Sequence, residues 1–402
     1  MAKIDDSVKK KVPELRFKGF TDDWEQRKLG QYTKLITKGT TPKDKTGVGD
    51  VNFIKVENIT NGKIYPINKI KQNEHDNYLK RSRLEEKDIL FSIAGTLGRT
   101  AIVNKSILPA NTNQALAIIR GYDFDTNFLI TSLAGNVVKE YIRRNPTVGA
   151  QPNLSLEQVG NLLVNTPNAE EQQKIGSFFK QLDLLKEQKK GFLQKMFPKN
   201  GSRVPELRFE GFSDDWEERK LGEFSDVRDG THASPKYVSQ GHPMVTSKNL
   251  THSGLDMTDV SFLTDEDFNE INKRSKVSIG DILFGMIGTI GNPVIVDRDD
   301  FAIKNVALIK EKTSNPITNK WLLQYLKSPS FNRFIQKENA GGTQKFIALG
   351  LIRDMKLRVP EFDEQQKIGS FFQQLDNTIT LHQRKLEKLQ ELKKGYLQKM
   401  FC

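Results

Sequence analysis

The sequence predicts an α+β protein in which two α/β domains form a tandem pseudo-repeat joined by a long antiparallel two-helix coiled coil. Three duplicated features predict this fold class: an opening segment, a hairpin pattern within each copy, and a long amphipathic helix ending each copy. The predicted segments are a first domain at 1–168, its helix at 169–198, a second domain at 199–361 and its helix at 362–402. A chain of 402 residues is long enough for two such domains to bury separate cores.

The repeat is nearly complete at both ends of each copy. Residues 12–30 recur as 204–222, with differences at Lys18, Thr21 and Gln26 alone. Residues 171–179 recur unchanged as 364–372, whereas the segments between these frames differ widely. A shared frame that carries two dissimilar inserts favours one scaffold with two different binding surfaces.

Charge and cysteine content limit the classes of partner and site. Lys and Arg number 62 against 50 Asp and Glu, a net charge of +12. This excess favours an anionic partner such as nucleic acid or an acidic membrane surface, although basic proteins without such partners are common. Cys402 is the sole cysteine, which excludes internal disulfides and cysteine-based zinc clusters.

The sequence shows no signal-like or membrane-spanning apolar run. We therefore expect a soluble, cytoplasmic protein with no membrane partner, no metal and no cofactor.

A loop rich in turn-forming residues interrupts the start of each domain, at 39–43 and at 230–236. Most such loops only connect strands. Here the loop keeps its position in both copies of the repeat, whereas its hydroxyl, imidazole and lysine side chains differ between the copies, as expected of a variable contact surface. The candidate nucleic-acid-binding residues in these loops are Thr40, Thr41, Lys43, Thr231, His232 and Lys236.

Short strands are predicted at 51–56 and 64–67, with 245–250 as the counterpart of the first. Lysine and amide side chains at the ends of these strands are suited to phosphate and base contacts. The candidates are Lys55, Asn58, Lys248 and Asn249.

A hairpin is predicted in each copy, because residues 88–98 and 281–291 carry an apolar run and Gly-Thr-x-Gly before a second apolar run. The turn is followed by Arg99 and Thr100 in one copy and by Asn292 in the other. Arg and Asn can recognise guanine and adenine edges, but a solvent-facing loop explains them equally well. The glycine pattern does not indicate a phosphate-binding loop, since no Gly-Lys-Ser/Thr follows.

Polar residues precede the next apolar strand of each copy, at 115–119 and 306–309. They could be buried hydrogen-bond partners or base-contacting residues, and the sequence leaves both open. The candidates are Asn113, Gln114, Lys304 and Asn305.

One packing helix is then predicted in each copy, at 128–144 and 321–337, from apolar residues at three- and four-residue steps. A last polar loop precedes the final strand of each domain. Its candidate DNA-binding residues are Gln151, Gln344 and Lys345.

The terminal helices have a predicted start and a predicted difference in length. Asn168 is suited to the N-cap position, and Glu171 to the third position of a capping box. The offset between the copies is 193 residues at Glu171 and Glu364 but 204 at Lys190 and Lys394, so the second helix is 11 residues longer.

The length of the helices suits spacing along DNA. A helix of about 28 residues is about 42 Å long, slightly more than one turn of B-DNA. Two such helices packed together would space two DNA-binding domains along a duplex.

These motifs resemble the specificity (DNA-recognition) subunits of type I restriction-modification systems over essentially the whole chain. The resemblance rests on the Glu-Gln-Gln-Lys-Ile stretches at 171–175 and 364–368 and on the Trp-Glu-x-Arg-Lys-Leu-Gly openings at 24–30 and 216–222. It implies two target-recognition domains that each recognise half of a split double-stranded DNA target. It also implies that the helices set the gap between the halves and dock two modification (methyltransferase) subunits, to which restriction (translocase/nuclease) subunits are added.

The sequence favours a non-catalytic role. A methyltransferase would be expected to carry Asp/Asn-Pro-Pro-aromatic, and the chain has no Pro-Pro pair. The histidines at 75, 232, 242, 252 and 382 show no metal-binding or catalytic spacing. The alternative from another class is a duplicated protein-interaction scaffold with two peptide-binding domains.

Overall fold

The computed structural model describes residues 16–144, 152–199, 201–252, 254–312, 317–338 and 346–399; at Val137 and at 384–399 it describes the backbone alone. The chain divides into a first unit, residues 1–183 with 385–402, and a second unit, residues 184–384. Each long helix thus contributes residues to both units, whereas the sequence prediction treated the helices as separate segments.

The described part of the first unit is built from short strands and helices, including residues 385–399 of the second long helix. Its strands are β1 (Glu25–Lys28), β2 (Thr33–Lys38), β3 (Val51–Ile54), β4 (Ile59–Thr60), β5 (Lys63–Ile64), β6 (Asn68–Ile70), β7 (Ile89–Ser92), β8 (Thr100–Ile102), β9 (Ala110–Thr112), β10 (Leu116–Tyr122) and β11 (Leu163–Thr166). Its helices are α1 (Thr126–Leu133), α2 (Asn136–Arg144), α3 (Leu156–Gly160) and the first part of α4 (Ala169–Lys195).

An antiparallel sheet with the order β2-β10-β7-β8 forms the centre of the first unit. Strand β7 is buried on both faces: Ile89 and Phe91 pack with Phe128 of α1, whereas Leu90 packs with Ile54 of the smaller sheet β6-β3-β9. This explains why the strand is a continuous apolar run rather than an alternating one. The pairs β4-β5 and β1-β11 complete the unit.

The second unit repeats this arrangement with additions. Its strands are β12 (Glu217–Lys220), β13 (Ser225–Asp229), β14 (Tyr237–Val238), β15 (His242–Val245), β16 (Leu250–Thr251), β17 (Gly254–Leu255), β18 (Ser261–Leu263), β19 (Ile282–Gly285), β20 (Gly291–Ile295), β21 (Ala302–Ile303), β22 (Val306–Glu311) and β23 (Lys356–Val359). Its helices are α5 (Leu221–Phe224), α6 (Asp265–Ser275), α7 (Asn319–Lys327), α8 (Pro329–Glu338), α9 (Leu349–Asp354) and part of α10 (Phe362–Lys399).

The central sheet of the second unit, β13-β22-β19-β20, has the same order as that of the first. The smaller sheet differs, because β14 adds a fourth strand in the order β14-β18-β15-β21. Helix α6 occupies the chain position where the first unit has a single π-helical turn, Glu74–Tyr78. The units therefore share a framework and differ in what is inserted into it.

The predicted hairpins are confirmed, since β7 pairs with β8 and β19 with β20. The repeated Gly-Thr-x-Gly turn needs both glycines for the same reason in each copy. Gly95 and Gly98 have φ of 74° and 78°, and Gly288 and Gly291 have φ of 74° and 89°. A side chain at these positions would be strained.

The two packing helices predicted at 128–144 and 321–337 are each divided in the structure. The helix predicted at 321–337 is two helices, because Ser328 is extended (ψ 152°) and Pro329 starts α8; a residue before proline disfavours the helical conformation. The first copy is likewise divided, with α1 ending before Ala134 and Gly135.

The predicted strands are also shorter than expected. Strand β3 ends at Ile54 and β15 at Val245, and each is followed by a 3-10 turn, Val56–Asn58 or Ser247–Asn249. Of the strand predicted at 64–67, only Ile64 is in a strand, the end of β5, and the next strand, β6, begins at Asn68.

The long helices contain 27 residues (α4) and 38 residues (α10), which confirms the predicted difference of 11. Within the second unit, the last turns of α4 lie against the first part of α10. The rings of Phe192 and Phe371 are 4.9 Å apart, and Lys189 forms an ion pair with Asp376. The residue numbers run in opposite directions, so this segment of the pair is antiparallel.

Candidate nucleic-acid interface

The repeated frame residues meet at one buried carboxylate in each unit. In the first unit, Arg16 donates to both oxygens of Glu171, at 2.9 Å and 2.6 Å, and Trp24 Nε1 donates to Oε2 at 3.1 Å. The Glu171 side chain is fully buried. Arg208, Trp216 and Glu364 repeat these contacts at 2.9, 2.7 and 3.1 Å. We call each of these groups a helix anchor, because it fastens the start of α4 or α10 to its unit.

The glutamine and glycine that follow each anchor also serve the frame. Gln172 donates to Pro167 O at 2.9 Å and accepts from Asp125 N at 3.0 Å; Gln365 makes the same contacts to Pro360 O and Thr318 N. A Cβ on Gly176 would lie 2.3 Å from Asp125 Oδ1. The repeated Glu-Gln-Gln-Lys-Ile-Gly stretch therefore holds the helix close to its unit.

Of the two residues predicted to cap the start of α4, the structure confirms the N-cap Asn168. Asn168 Oδ1 accepts from Glu171 N at 2.9 Å, as the N-cap prediction required. The carboxylate of Glu171 does not complete a capping box, because it is occupied by Arg16 and Trp24 of the anchor.

On this framework, two loops cross in the first unit. Gly39 N donates to Leu116 O at 3.2 Å, and Thr40 N donates to Thr112 O at 2.9 Å. The crossing is so close that a Cβ on Gly39 would lie 2.1 Å from Thr112 O. Thr41 Oγ1 donates to Gln114 Oε1, so the structure brings two predicted residues from distant segments together.

The second unit has the equivalent crossing with different side chains. Gly230 N donates to Val306 O and Thr231 N to Ile303 O, both at 3.0 Å. His232 then takes the place of Thr41, and its Nδ1 lies 2.8 Å from Asn305 Oδ1. We call Thr41 with Gln114, and His232 with Asn305, the loop pairs.

Lysines and exposed tyrosines flank both loop pairs. Lys43 Nζ lies 4.5 Å from the ring centre of Tyr78, and Lys304 Nζ donates to Ser234 Oγ at 3.0 Å and lies 3.5 Å from Tyr237 Oη. The tyrosines, 48% and 46% exposed, were missed by sequence reasoning. They come from non-equivalent elements, a π-helical turn and β14, so no shared pattern marks them.

A buried carboxylate, Asp229, lies beside the second loop pair. His232 Nε2 lies 2.9 Å from Oδ2 of Asp229, a carboxylate that also accepts from Arg274. Hydrogen bonds to Asn305 and to Asp229 raise the pKa of His232, and burial and Arg274 oppose the shift. The first unit has a hydroxyl at this position, which does not titrate in the ordinary pH range.

The residues beyond the hairpin turns hold the hairpins in place. Arg99 Nη1 donates to Val56 O at 3.3 Å and to Ile59 O at 3.1 Å, and Asn292 Nδ2 donates to Leu250 O at 3.0 Å. Thr100 is buried in β8, 6% exposed. These contacts engage Nη1 of Arg99 and Nδ2 of Asn292, two of the donors predicted to contact bases.

The amides after β3 and β15 are buried inside 3-10 turns. Asn58 Oδ1 accepts from Lys55 N at 2.8 Å, and Asn249 Oδ1 accepts from Thr246 N at 2.9 Å. Asn58 is 1% exposed and Asn249 is 2% exposed. These two amides therefore stabilise the 3-10 turns.

The remaining predicted residues lie at the surface or outside the described residues. Lys55 is ion-paired with Glu57 at 3.6 Å and Lys248 with Asp259 at 2.9 Å. Asn113 Oδ1 accepts from Ala115 N at 3.2 Å. Lys236 is exposed in the loop of His232. Gln151, Gln344 and Lys345 lie outside the described residues.

The described residues contain neither a candidate metal site nor a membrane-spanning helix. No cluster of three or more His, Cys, Asp or Glu side chains there could hold a metal ion. No helix of that part of the chain has the length and apolar character needed to cross a bilayer.

Comparison with known proteins identifies the family. The model of the type I restriction modification DNA specificity domain matches residues 21–195 and 213–391. The MjaVIII type I restriction enzyme specificity subunit of Methanocaldococcus jannaschii is 24% identical, covering 93% of this chain and 91% of the relative. The putative MjaX specificity subunit of the same organism is 23% identical with the same coverage.

A solved structure shows the same fold. The crystal structure of the type I restriction-modification S subunit from M. genitalium matches with a TM-score of 0.51 at 16% identity, covering 97% of this chain and 99% of that one. Because the family model matches both copies of the repeat, the chain belongs to the type I restriction-modification DNA specificity family and is a non-catalytic specificity subunit, in agreement with the resemblance seen in its sequence.

Proposed function

We propose that this chain recognises a bipartite double-stranded DNA target, with one half-site contacted by each unit, and positions the methyltransferase and restriction subunits of a type I complex in the cytoplasm. The observation that supports this most strongly is the loop pair. Two equivalent loop crossings on one framework carry different polar side chains, Thr41 with Gln114 and His232 with Asn305. Different donors and acceptors in equivalent places suit the recognition of two different base sequences.

Each loop pair combines features that a DNA contact requires. The loop pairs offer amide groups for base edges, and the flanking Lys43, Lys304 and Lys236 are suited to phosphate. The proposed contact residues are Thr40, Thr41, Lys43, Gln114, Thr231, His232, Lys236, Lys304 and Asn305, and the sequence predicts Gln151, Gln344 and Lys345 as further DNA-binding residues. Asn58, Thr100, Arg99, Asn249 and Asn292 are assigned to shaping the surface instead, because their side chains are buried or bonded to the backbone.

The helices are proposed to act as the spacer between the half-sites. Support comes from the antiparallel contacts of Phe192 with Phe371 and of Lys189 with Asp376 in the second unit. We propose that this pairing continues along α4 and α10 as a coiled coil. A helix the length of α4 is about 40 Å long, close to one turn of B-DNA. The modification subunits are proposed to dock on these helices.

The test is a domain exchange in the assembled complex. The chain is produced with its modification subunits, and genomic methylation is mapped by sequencing. We expect one bipartite methylated sequence, and we expect replacement of residues 14–165 by the corresponding domain of another family member to change one half of it. A change in both halves would refute independent recognition by the two units.

A salt series separates this function from the alternative of two peptide-binding domains. Binding of the assembly to duplex DNA should weaken steeply as salt is added, because counterions are released from each contacted phosphate. Absent or salt-insensitive duplex binding would favour the peptide-binding alternative.

A further inference from the structure

The imidazole of His232 lies between two hydrogen-bond acceptors. Its Nε2 is 2.9 Å from Asp229 Oδ2, and its Nδ1 is 2.8 Å from Asn305 Oδ1. A carboxylate oxygen and an amide oxygen can only accept, and a neutral imidazole donates from one nitrogen alone. Both contacts are therefore satisfied by the imidazolium form.

The charge on His232 determines the orientation of the Asn305 amide. When the ring is charged, Nδ1–H donates to the amide oxygen, and the amide NH2 group points away from the ring. When the ring is neutral, its proton stays on the nitrogen that faces Asp229, and the bare Nδ1 needs a donor. Asn305 supplies that donor by turning its amide, which directs the carbonyl oxygen away from the ring.

The backbone of Asn305 is held while its amide is left available. Its N donates to Thr231 O at 3.2 Å, and its O accepts from Ser247 Oγ at 3.1 Å. Its φ of 56° is tolerated by asparagine better than by most residues. No described residue accepts a hydrogen bond from Asn305 Nδ2, so the outward half of the amide can serve a ligand.

The charged groups around the ring favour its protonation. Asp229 on β13 faces Nε2 directly and is itself held by Arg274 of α6. Hydrogen bonding to Asn305 and then to Asp229 raises the pKa of His232, whereas burial and Arg274 lower it, with a net rise. Lys304 beside Asn305 directs its ammonium to Ser234 and Tyr237 rather than to the ring. The imidazolium is thus present at low pH and is lost as pH rises through this raised pKa.

The first unit provides an internal comparison. There the amide of Gln114 accepts from the hydroxyl of Thr41, which remains a donor across the ordinary pH range. Its orientation is therefore independent of pH.

We propose that protonated His232 is a positioning residue that turns the NH2 group of Asn305 towards DNA, so that the second unit favours a base with a keto acceptor in the major groove, guanine or thymine. With His232 neutral, the outward carbonyl favours a base with an amino donor there, cytosine or adenine. This inference rests on the proposed function, since it names the chemistry by which one half-site is recognised.

The test uses the full chain assembled with its modification subunits and a library of randomised duplex DNA. Bound sequences are determined at about pH 6 and about pH 9, on either side of the histidine titration. The half-site of the second unit is the one that the exchange of residues 14–165 leaves unchanged. We expect one position of that half-site to shift from a keto base (guanine or thymine) towards an amino base (cytosine or adenine) at the higher pH by about 3- to 10-fold, the value of one hydrogen bond. The other half-site should not change.

Two substitutions isolate the ring. His232→Gln should give the same base preference at both pH values, and His232→Lys, a permanent cationic donor, should keep the keto-base preference at both. His242→Gln is the control, because His242 bonds Asp265 elsewhere in the second unit and its replacement should leave the pH response intact.

The outcomes separate this inference from the proposed function. If no bipartite sequence is enriched at either pH, the proposed function fails. If a bipartite sequence is enriched and its second half is the same at both pH values, or if His232→Gln keeps the shift, the role of His232 alone is refuted.

Discussion

The helix anchors and the loop pairs show opposite relations between the two units. The anchors agree to within 0.1 Å in all three hydrogen bonds to Glu171 and Glu364. The loop pairs occupy equivalent crossings, yet one is a hydroxyl with an amide and the other an imidazole with an amide and a carboxylate. The difference follows burial: a fully buried carboxylate needs its partners in place, whereas a loop at the surface can change side chains at little cost in stability.

The largest expected effect comes from removing the charge at an anchor. Glu171→Gln and Glu364→Gln each leave an arginine without its anionic partner, and each should lower the free energy of unfolding of its unit by about 3 kcal/mol. Chemical denaturation followed by circular dichroism measures the loss. Glu170→Gln is the control, because Glu170 is 70% exposed and pairs with Lys174 at the surface, and it should change stability by less than about 0.5 kcal/mol. Clearly unequal losses would show that the two anchors are not energetically equivalent.

The glycines beside the anchors should give a smaller and unequal effect. A Cβ on Gly176 would lie 2.3 Å from Asp125 Oδ1 and 2.8 Å from Phe128 N, whereas on Gly369 it would lie 2.9 Å from Lys320 Cβ. We expect Gly176→Ala to cost about 2 kcal/mol and Gly369→Ala about 1 kcal/mol, after the helical preference of alanine is counted.

Gly191 of α4 supplies the matched control for these substitutions. Apart from its chain neighbours and the backbone of its own helix, no atom of the described residues lies within 4 Å of a Cβ built there, so Gly191→Ala should stabilise the helix by about 0.5 to 1 kcal/mol. The same denaturation experiment measures all three variants. A destabilising Gly191→Ala, or equal losses at Gly176 and Gly369, would show that close approach does not explain the repeated glycines.

Local rules predicted the features that depend on neighbours in sequence. The hairpins followed from apolar runs around paired glycines, and the 11-residue difference between α4 and α10 followed from the offsets of repeated segments. The N-cap at Asn168 is also local. The role of Glu171 is not, because its arginine partner lies 155 residues away, and the capping-box rule therefore assigned it wrongly.

The candidate DNA-binding site depends, more than the fold does, on contacts between residues that are distant in sequence. Sequence reasoning selected Thr41 and Gln114 separately, but their pairing joins positions 73 residues apart. It could not distinguish the buried Asn58 from the available Asn305, since both are asparagines near strand ends. Burial and hydrogen-bond partners, rather than residue type, divide the predicted residues into those that shape the surface and those proposed to contact DNA.

The smallest effect expected is the loss of one lysine beside each loop pair. If Lys43 and Lys304 each neutralise one phosphate, Lys43→Met and Lys304→Met should weaken DNA binding by the assembled complex about 3-fold and reduce the salt slope by about 1, without changing the preferred sequence. Lys356→Met is the control, because that ammonium is paired with Glu218 at 2.9 Å on the sheet of β12 and β23. Fluorescence anisotropy over a salt series measures both quantities.

The two units hold these lysines with different side chains, Tyr78 in the first and Ser234 in the second. Because phosphate carries no sequence information, the two losses of affinity should nevertheless be alike. A change in base preference with either variant would assign that lysine to base recognition and make the two units differ in a further respect.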